Sequence, residues 1–348
     1  MCKYSPLVQI RTGLFRFAND KMYFDKFDAN YGRTDITLNG YLSNVINYAL
    51  DDNAVLSGNF DLQTNYFYVD EFAAFAGDTA ASSTTDTAGT GVVIIPSNLD
   101  LTFSATAKTI EYDSLQLKDF KGSMSINSGK LTLKQTGFSL IGAPVIMDAT
   151  YYSLSPHKAF FDYQVYIKEF DVKRAYNEIK IFHDLATAAS KAEGVAALDY
   201  QLSGKLDQNM QPVYPSLKGG GVLSVKNVKL SGWKLMNAVG NATGKDSIND
   251  PELKSVKIKT TIANNIIMLE RTKMKIAGFR PRFEGQVSFD GRLNLSGRLG
   301  LPPFGIFGIP FSVTGTQEDP KVKLHRAKDS DKIEMTEEPA DEDDQQQE

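Results

Sequence analysis

The chain holds one cysteine, one tryptophan and three histidines in 348 residues, and each scarcity closes off a class of chemistry. Cys2 alone cannot form an internal disulfide, and without CxxC or Cys/His spacing there is no structural zinc motif. His157, His183 and His325 are scattered, so neither a metal site nor a cofactor is expected. No stretch reaches the roughly 18 apolar residues that a membrane-spanning helix needs. Met1-Cys2-Lys3 has no apolar run ahead of it, as a lipoprotein signal would.

Net charge is also small outside the tail. Residues 328–348 hold 10 acids and 2 bases, a charge of −8, which leaves the other 327 residues at +4 against −4 for the whole chain. A body so weakly charged offers no field for a polyanion, and nucleic acid is not an expected partner. The chain instead has 21 Phe and 15 Tyr, a tilt toward residues that favour strands.

Those residues fall into alternation of period two. It runs through Met124/Ile126, Leu131/Leu133, Phe138/Leu140, Leu223/Val225, Met274/Ile276, Phe283/Val287/Phe289 and Leu293/Leu295/Leu299, each run broken by Gly, Asn or Asp. Short antiparallel strands with one apolar face are expected. Asn127-Ser128-Gly129, Asp290-Gly291 and Ala263-Asn264-Asn265 suit tight hairpins. Two phrases, GSMSINSGKLTL from Gly122 and GVLSVKNVKL from Gly221, share a spacing from glycine through Asn to Lys-Leu. A longer template of turn, strand, Gly and second strand fits Asn19 to Tyr41, Asn127 to Tyr151 and Asn264 to Val287. Either the sheet is built from repeats, with glycine opening each rung where it bends, or a regular meander imitates repetition.

Helical period occurs twice. Asp171 to Glu193 places Val172, Ala175, Tyr176, Ile179, Phe182, Leu185 and Ala189 on one stripe, with Asp171 as N-cap and Gly194 as C-cap. A single long helix over 171–193 is expected, serving either as a lid with Phe182 and Leu185 inward or as a fixed core helix. A shorter helix over 231–240 carries Trp233, Leu235, Met236 and Val239. The Ser/Thr/Gly-rich stretch 78–91 and the acidic tail 326–348 lack the apolar residues to offset ordering entropy and read as flexible. The expected division is 1–77 as a first part of the sheet, 78–91 as a loop, 92–325 as the main β-domain and 326–348 as a tail.

Catalytic motifs fail one by one. GNATGKD (Gly240 to Asp246) is short of a phosphate loop and has Asp246 in place of the hydroxyl residue. Ser155-Pro156-His157-Lys158 has acyl-enzyme spacing, but its proline and missing companion motifs make it a turn. Asp341 to Asp344 lie in the tail with nothing to hold them around an ion. No enzyme is expected. The informative feature is an apolar sheet face larger than two helices can cover, which must pack on a second sheet or curl into a trough for acyl chains. Burial at ~0.8 kcal/mol per methylene would give on the order of 20 kcal/mol for a fully enclosed two-chain lipid. Candidate trough residues are Leu131, Leu133, Phe138, Leu140, Leu223, Val225, Met268, Met274, Ile276, Phe283, Val287, Phe289, Leu293 and Leu295. Leu299 to Val313 is the most apolar stretch, and Pro302, Pro303 and Pro310 forbid a regular helix there. Its Phe304, Ile306, Phe307 and Ile309 are candidates either to dip into a membrane surface or to fold back on the sheet end.

FSVTGTQEDPKVKL (Phe311 to Leu324), the stretch Ala192 to Val239 with its Gly219-Gly220-Gly221 strand start and Leu-Ser-Gly-Trp helix start, and GNFDLQTNYFYVDEFAAF (Gly58 to Phe75) together resemble the C-terminal region of the AsmA family. These are bacterial envelope proteins that include TamB and YhdP relatives, and the likeness covers most of residues 50 to 325. The resemblance implies an elongated, curled β-groove built from repeats, held to the inner membrane by an N-terminal helix and crossing the periplasm. It implies conduction of phospholipids or other acyl-chain lipids toward the outer membrane, with a membrane surface and outer-membrane assembly proteins as partners and no catalytic residue. The anchor and the long N-terminal half are missing from this sequence, and the strand-like LFRFANDKMYF near the start reads as a sheet already under way, so a C-terminal fragment is expected. The competing expectation is a periplasmic β-scaffold with a closed core and no lipid transfer.

Overall fold

In the computed structural model, which describes residues 8–73, 91–112 and 115–325, the chain is mainly β, and its strands form one open sheet of seventeen. Both stretches expected to be flexible lie outside the described residues, apart from Gly91. The strands are β1 (Val8–Ala18), β2 (Lys21–Tyr31), β3 (Thr34–Ser43), β4 (Leu56–Tyr68), β5 (Leu99–Tyr112), β6 (Leu115–Asn127), β7 (Lys130–Leu140), β8 (Ala143–Ser155) and β9 (Lys158–Asp171). They continue as β10 (Ala192–Leu206), β11 (Lys218–Leu230), β12 (Glu252–Ala263), β13 (Ile266–Lys273), β14 (Arg280–Ser288), β15 (Leu293–Gly300), β16 (Gly308–Gly315) and β17 (Pro320–Leu324). Each pairs with its neighbour in sequence, and every pairing is antiparallel except β4 with β5, which is parallel. Strands on both sides of the stretch 78–91 belong to this one sheet.

The parallel step needs a connection that returns the chain to the starting end. It begins with α2 (Val69–Ala73), whose Glu71 carboxylate accepts hydrogen bonds from the backbone N–H of Arg33 and Thr34 and from the Thr34 hydroxyl. It ends with residues 91–98 laid along the opposite margin. There Val92 N–H donates to the Pro156 carbonyl, the Tyr151 hydroxyl donates to the Val93 carbonyl, and Leu56 N–H donates to Asn98.

The three template copies occupy equivalent places. Each starts at a turn (19–20, 128–129, 264–265), runs through a strand with a register shift (Phe24/Phe27, Leu133/Thr136, Leu269/Thr272), turns again at Gly32, Gly142 or Gly278, and enters the next strand. All three glycines have positive φ (57°, 80° and 86°), which a glycine adopts without steric cost. The two shorter phrases are not equivalent. Asn127 to Gly129 leads a hairpin turn, whereas Asn227 sits inside β11 with φ 52° at a bulge against β10.

Glycine also has a different role from opening rungs. Gly221 lies between Tyr200 and Thr260 on the ladder, and a Cβ there would come within 2.7 Å of the Tyr200 ring. Curling a sheet crowds its concave face, and a glycine beside a large ring relieves that crowding.

The expected long helix is in pieces. It forms α3 (Val172–Glu178) and α4 (Lys180–Leu185), followed by a 3-10 turn over Thr187–Lys191. Asp171 caps α3 as expected, accepting from Arg174 N–H at 2.7 Å. The break at Ile179 (φ −110°, ψ 104°) turns α4 so that Phe182 joins the large core cluster while Ile181 and Leu185 join a smaller one around Leu202, Leu217 and Ile262. Periodicity could not reveal the break, because both halves remain apolar in phase. A short helix, α1 (Val45–Leu50), links β3 and β4. The other expected helix, α5, runs Lys234–Thr243 rather than 231–240. Gly240 is inside it and buried, since a side chain there would collide with Asn249, and Gly244 (φ 65°) ends it. α5 packs on β17, and Lys234 Nζ lies 2.6 Å from Glu318, so the helix spans from the β11 side of the sheet to its last strand.

Candidate functional site

Ladder register defines the two faces of the sheet. Starting at Phe15 on β1 and stepping across hydrogen-bonded partners gives Phe24, Gly40, Phe60, Phe103, Met124, Leu133, Ala149 and Tyr163 as far as β9. The same row continues through Leu202, Gly219, Ile262, Ile267, Val287 and Leu293 on β15. Across fifteen strands the only hydroxyl in it is that of Tyr163. One residue along, the facing row reads Tyr41, Asn59, Thr102, Ser125, Thr132, Thr150, Asp162, Ser203 and Lys218. One face is thus continuously apolar and the other polar, as the period-two alternation requires.

Cover on the apolar face is uneven. From β9 to β17 it is filled: Met236 and Val239 of α5, Ile248, Leu299 and Val313 are fully buried, and Phe283 and Phe311 meet edge to face at 5.5 Å. From β1 to β8 it is covered only in part: Phe60, Phe120, Phe138 and Val145 are buried, the last three within the same core cluster. Ile10 is 59% and Phe17 55% exposed, while Phe24, Phe27, Leu38, Leu62, Met124, Ile126, Leu131 and Leu133 are half-buried. α3 and α4 lie between these regions, against β9 and β10.

The expected trough residues divide along the same line. Leu131 and Leu133 face the half-open region, with Leu140 half-buried and Phe138 buried farther along β7. Leu223 is half-buried beside buried Val225, and Phe283, Leu293, Leu295 and Ile276 lie in the packed core with half-buried Met274 and Val287. Met268 belongs to the other face: its ladder partners are Thr261 and Gln286, and it is 39% exposed. The register shift between Leu269 and Thr272 is the cause. One extra residue there reverses the parity, so even positions face outward before the shift and inward after it.

Phe289 and Leu293 line a cavity of about 1270 Å³ at the margin where the β12–β13, β14–β15 and β16–β17 turns meet. Its lining also includes Ile266, Pro215, Asn264, Asn265, Arg292, Thr316 and, from α4, Lys180, His183 and Asp184. The Tyr214 hydroxyl donates to Asp184, which also accepts from Lys180 at 3.1 Å and contacts His183 Nδ1 at 3.1 Å. Burial works against the Asp184 charge, but these hydrogen bonds outweigh it and hold the carboxyl below its ordinary 3.8. Burial, then the bond to Asp184 and its charge, push the Tyr214 phenol up to about 12. Burial first, and then the neighbouring Tyr200, push Tyr163 in the apolar row up to about 12 as well.

The stretch Leu299 to Val313 resolves into the end of β15, a loop over 301–307 and the start of β16. Phe304, Ile306 and Phe307 stand out from it, 67%, 55% and 68% exposed. Ile309 is not on the loop: it pairs with Leu299 in β16 and is half-buried against the core.

Sequence reading missed the N-terminal half of the apolar row. Phe60/Leu62 in GNFDLQT and Leu101/Phe103 in LDLTFSA alternate as regularly as the strands that were recognised, and that alternation was the available signal. Among the described residues no His, Cys, Asp and Glu group could hold a metal ion, and no helix is long and apolar enough to cross a membrane. Compared with family models, curated proteins and solved structures, the chain matches none.

Proposed function

We propose that this chain binds acyl-chain lipids along the half-open apolar face of β1–β8 and passes them along the row of ladder partners, as the resemblance to the AsmA family implies. The observation that carries the proposal is the unbroken apolar row from Phe15 to Leu293. A face that served only as a closed core would be covered throughout, yet on β1–β8 this one keeps partly exposed apolar residues beside buried ones such as Phe60 and Phe138, along roughly 40 Å at 4.8 Å per strand. The reaction is transfer without chemistry: apolar contact holds the chains, and no bond is made or broken. In this reading the chain works in the bacterial envelope between two membranes.

The packed region β9–β17 supports a second role for that part, a closed scaffold that stops the trough or gates it through α3 and α4. Lipid extraction and native mass spectrometry of the purified chain test the first reading. Retained phospholipid, displaced by a fluorescent fatty acid, is the expected result. A chain that retains no lipid and binds no fatty acid would leave the scaffold reading for the whole molecule.

A further inference from the structure

We infer that the loop 301–307 is a membrane-docking element that seats the β15–β16 margin on an anionic phospholipid surface. Phe304, Ile306 and Phe307 are three large apolar side chains, all more than half exposed, within four residues. Single exposed apolar residues are ordinary on protein surfaces, but a cluster at the tip of one loop marks a contact.

The loop is held in shape. Leu301 N–H donates to the Phe307 carbonyl at 2.7 Å, Gly305 N–H donates to Leu301 at 2.8 Å, and the Arg298 guanidinium donates to the Ile306 carbonyl at 3.0 Å. Gly305 (φ 73°) rests on the stem of Arg280, where a Cβ would come within 2.9 Å of Arg280 Cδ. The side chains are therefore presented in advance, and binding does not have to order the backbone.

Charge complementarity selects the surface. Residues 272–283 and 297–311, which surround the loop at this margin, present Lys273, Lys275, Arg280 and Arg282 at the surface, with Arg298 buried beneath the loop, and contain no acidic residue. Register places them at the loop base: Arg280 pairs with Gly300, Arg282 with Arg298, and Lys273 with Arg282. The nearest acid on β14, Glu284, lies beyond them and pairs with Arg271. An apolar tip ringed by cations suits an interface in which rings enter the acyl boundary while Lys and Arg meet phosphate. Charge separates this surface from an apolar protein groove, which would gain nothing from the collar.

Docking does not depend on lipid binding in the trough, and the two are tested apart. The full chain is sedimented with phosphatidylcholine vesicles and with vesicles of phosphatidylcholine and phosphatidylglycerol. It should bind the mixed vesicles, bind neutral ones far less, and weaken with added salt. Phe304→Ser with Phe307→Ser should lower vesicle affinity by about tenfold or more with the melting temperature kept, because both rings are already in water. Lys275→Gln with Arg282→Gln should remove the preference for the anionic vesicles. As a measurement independent of those variants, Phe304→Trp should be quenched by brominated lipid well beyond the background of Trp233. Wild-type chain that binds neither vesicle, double-serine chain that binds undiminished, or an unquenched Trp would each overturn docking. Vesicle binding by a chain that retains no extractable lipid would uphold docking while removing the trough reading.

Discussion

Phe60 on β4 stacks on Phe103 of β5, ring centroids 5.6 Å apart and planes 20° from parallel, across the single parallel junction among the described strands. Phe60 also meets Phe24 edge to face at 5.5 Å, and Phe24 meets Phe15 at 5.2 Å, so four aromatic rings carry the apolar row through the first five strands. Phe60 itself is only 5% exposed. Phe60→Ala should cost about 3–5 kcal/mol by removing a buried ring at this junction. The loss should be local, with amides of β1–β4 exchanging faster while β10–β17 keep their protection. Equal acceleration over all seventeen strands would show that the N-terminal strands do not depend on this stack.

Face assignment makes opposite predictions for two residues that look alike in sequence. Leu133 sits in the apolar row and Met268 on the polar face. Met268→Glu should leave lipid retention intact and change stability by no more than about 0.5 kcal/mol, as surface substitutions do. Leu133→Glu should abolish retention, because it sets a charge among acyl chains. Native mass spectrometry of the two variants, paired with thermal melts, gives the comparison; retention lost in Met268→Glu would reverse the assignment.

That pair also shows what sequence could and could not reveal. Alternation located the strands and the tight turns at Asn127 to Gly129, Asn264-Asn265 and Asp290-Gly291, because side-chain period and turn chemistry are local properties. A bulge is local too, but its consequence is not: Glu270-Arg271 interrupts the alternation of β13 by one residue and reverses the face of everything on one side of it. The same blindness made Asn227, a bulge residue in mid-strand, look like a copy of the Asn127 turn. The break at Ile179 and the burial of β9–β17 beneath α3 to α5 depend on contacts between distant segments, which periodicity does not carry. Exposure of Phe304 and Phe307 could not be read either, since proline and glycine exclude a helix without saying which way a loop folds.

α4 is tied to the cavity lining by the hydrogen bond from Tyr214 to Asp184, and this contact should titrate at both ends of the pH scale. The folded pKa of Asp184 is depressed, so its contribution is present above the ordinary value of 3.8 and is lost as pH falls through the folded value. The folded pKa of Tyr214 is raised from 10.0 to about 12, so its contribution is complete below pH 10 and is lost as pH rises through about 12. Tyr214→Phe should cost about 1 kcal/mol between those limits, at the low end for a charged hydrogen bond because the pair is partly solvated. The stability difference between wild type and variant should shrink on both sides. A difference that stays constant from pH 3 to pH 11 would mean that the Tyr214 ring packing, not its hydroxyl, holds α4.

The two margins of the sheet differ in a way that predicts self-association. β17 is five residues long, begins with Pro320 and carries Lys321 and Lys323, the short charged edge by which sheets avoid pairing with other chains. β1 is eleven residues long and, among the described residues, pairs only with β2. Val8, Ile10, Leu14 and Phe17 along it are 61%, 59%, 64% and 55% exposed. β1 also carries Arg11 and Arg16, but its length, its exposed apolar residues and its lack of proline favour strand addition, so the chain should associate as its concentration rises. Ile10→Lys with Phe17→Lys should suppress that association while changing the melting temperature little, because both side chains already face water. Lys321→Val with Lys323→Val should raise it by opening the protected edge. Sedimentation velocity over a concentration series measures both, and association unchanged in the β1 variant would place the contact elsewhere on the molecule.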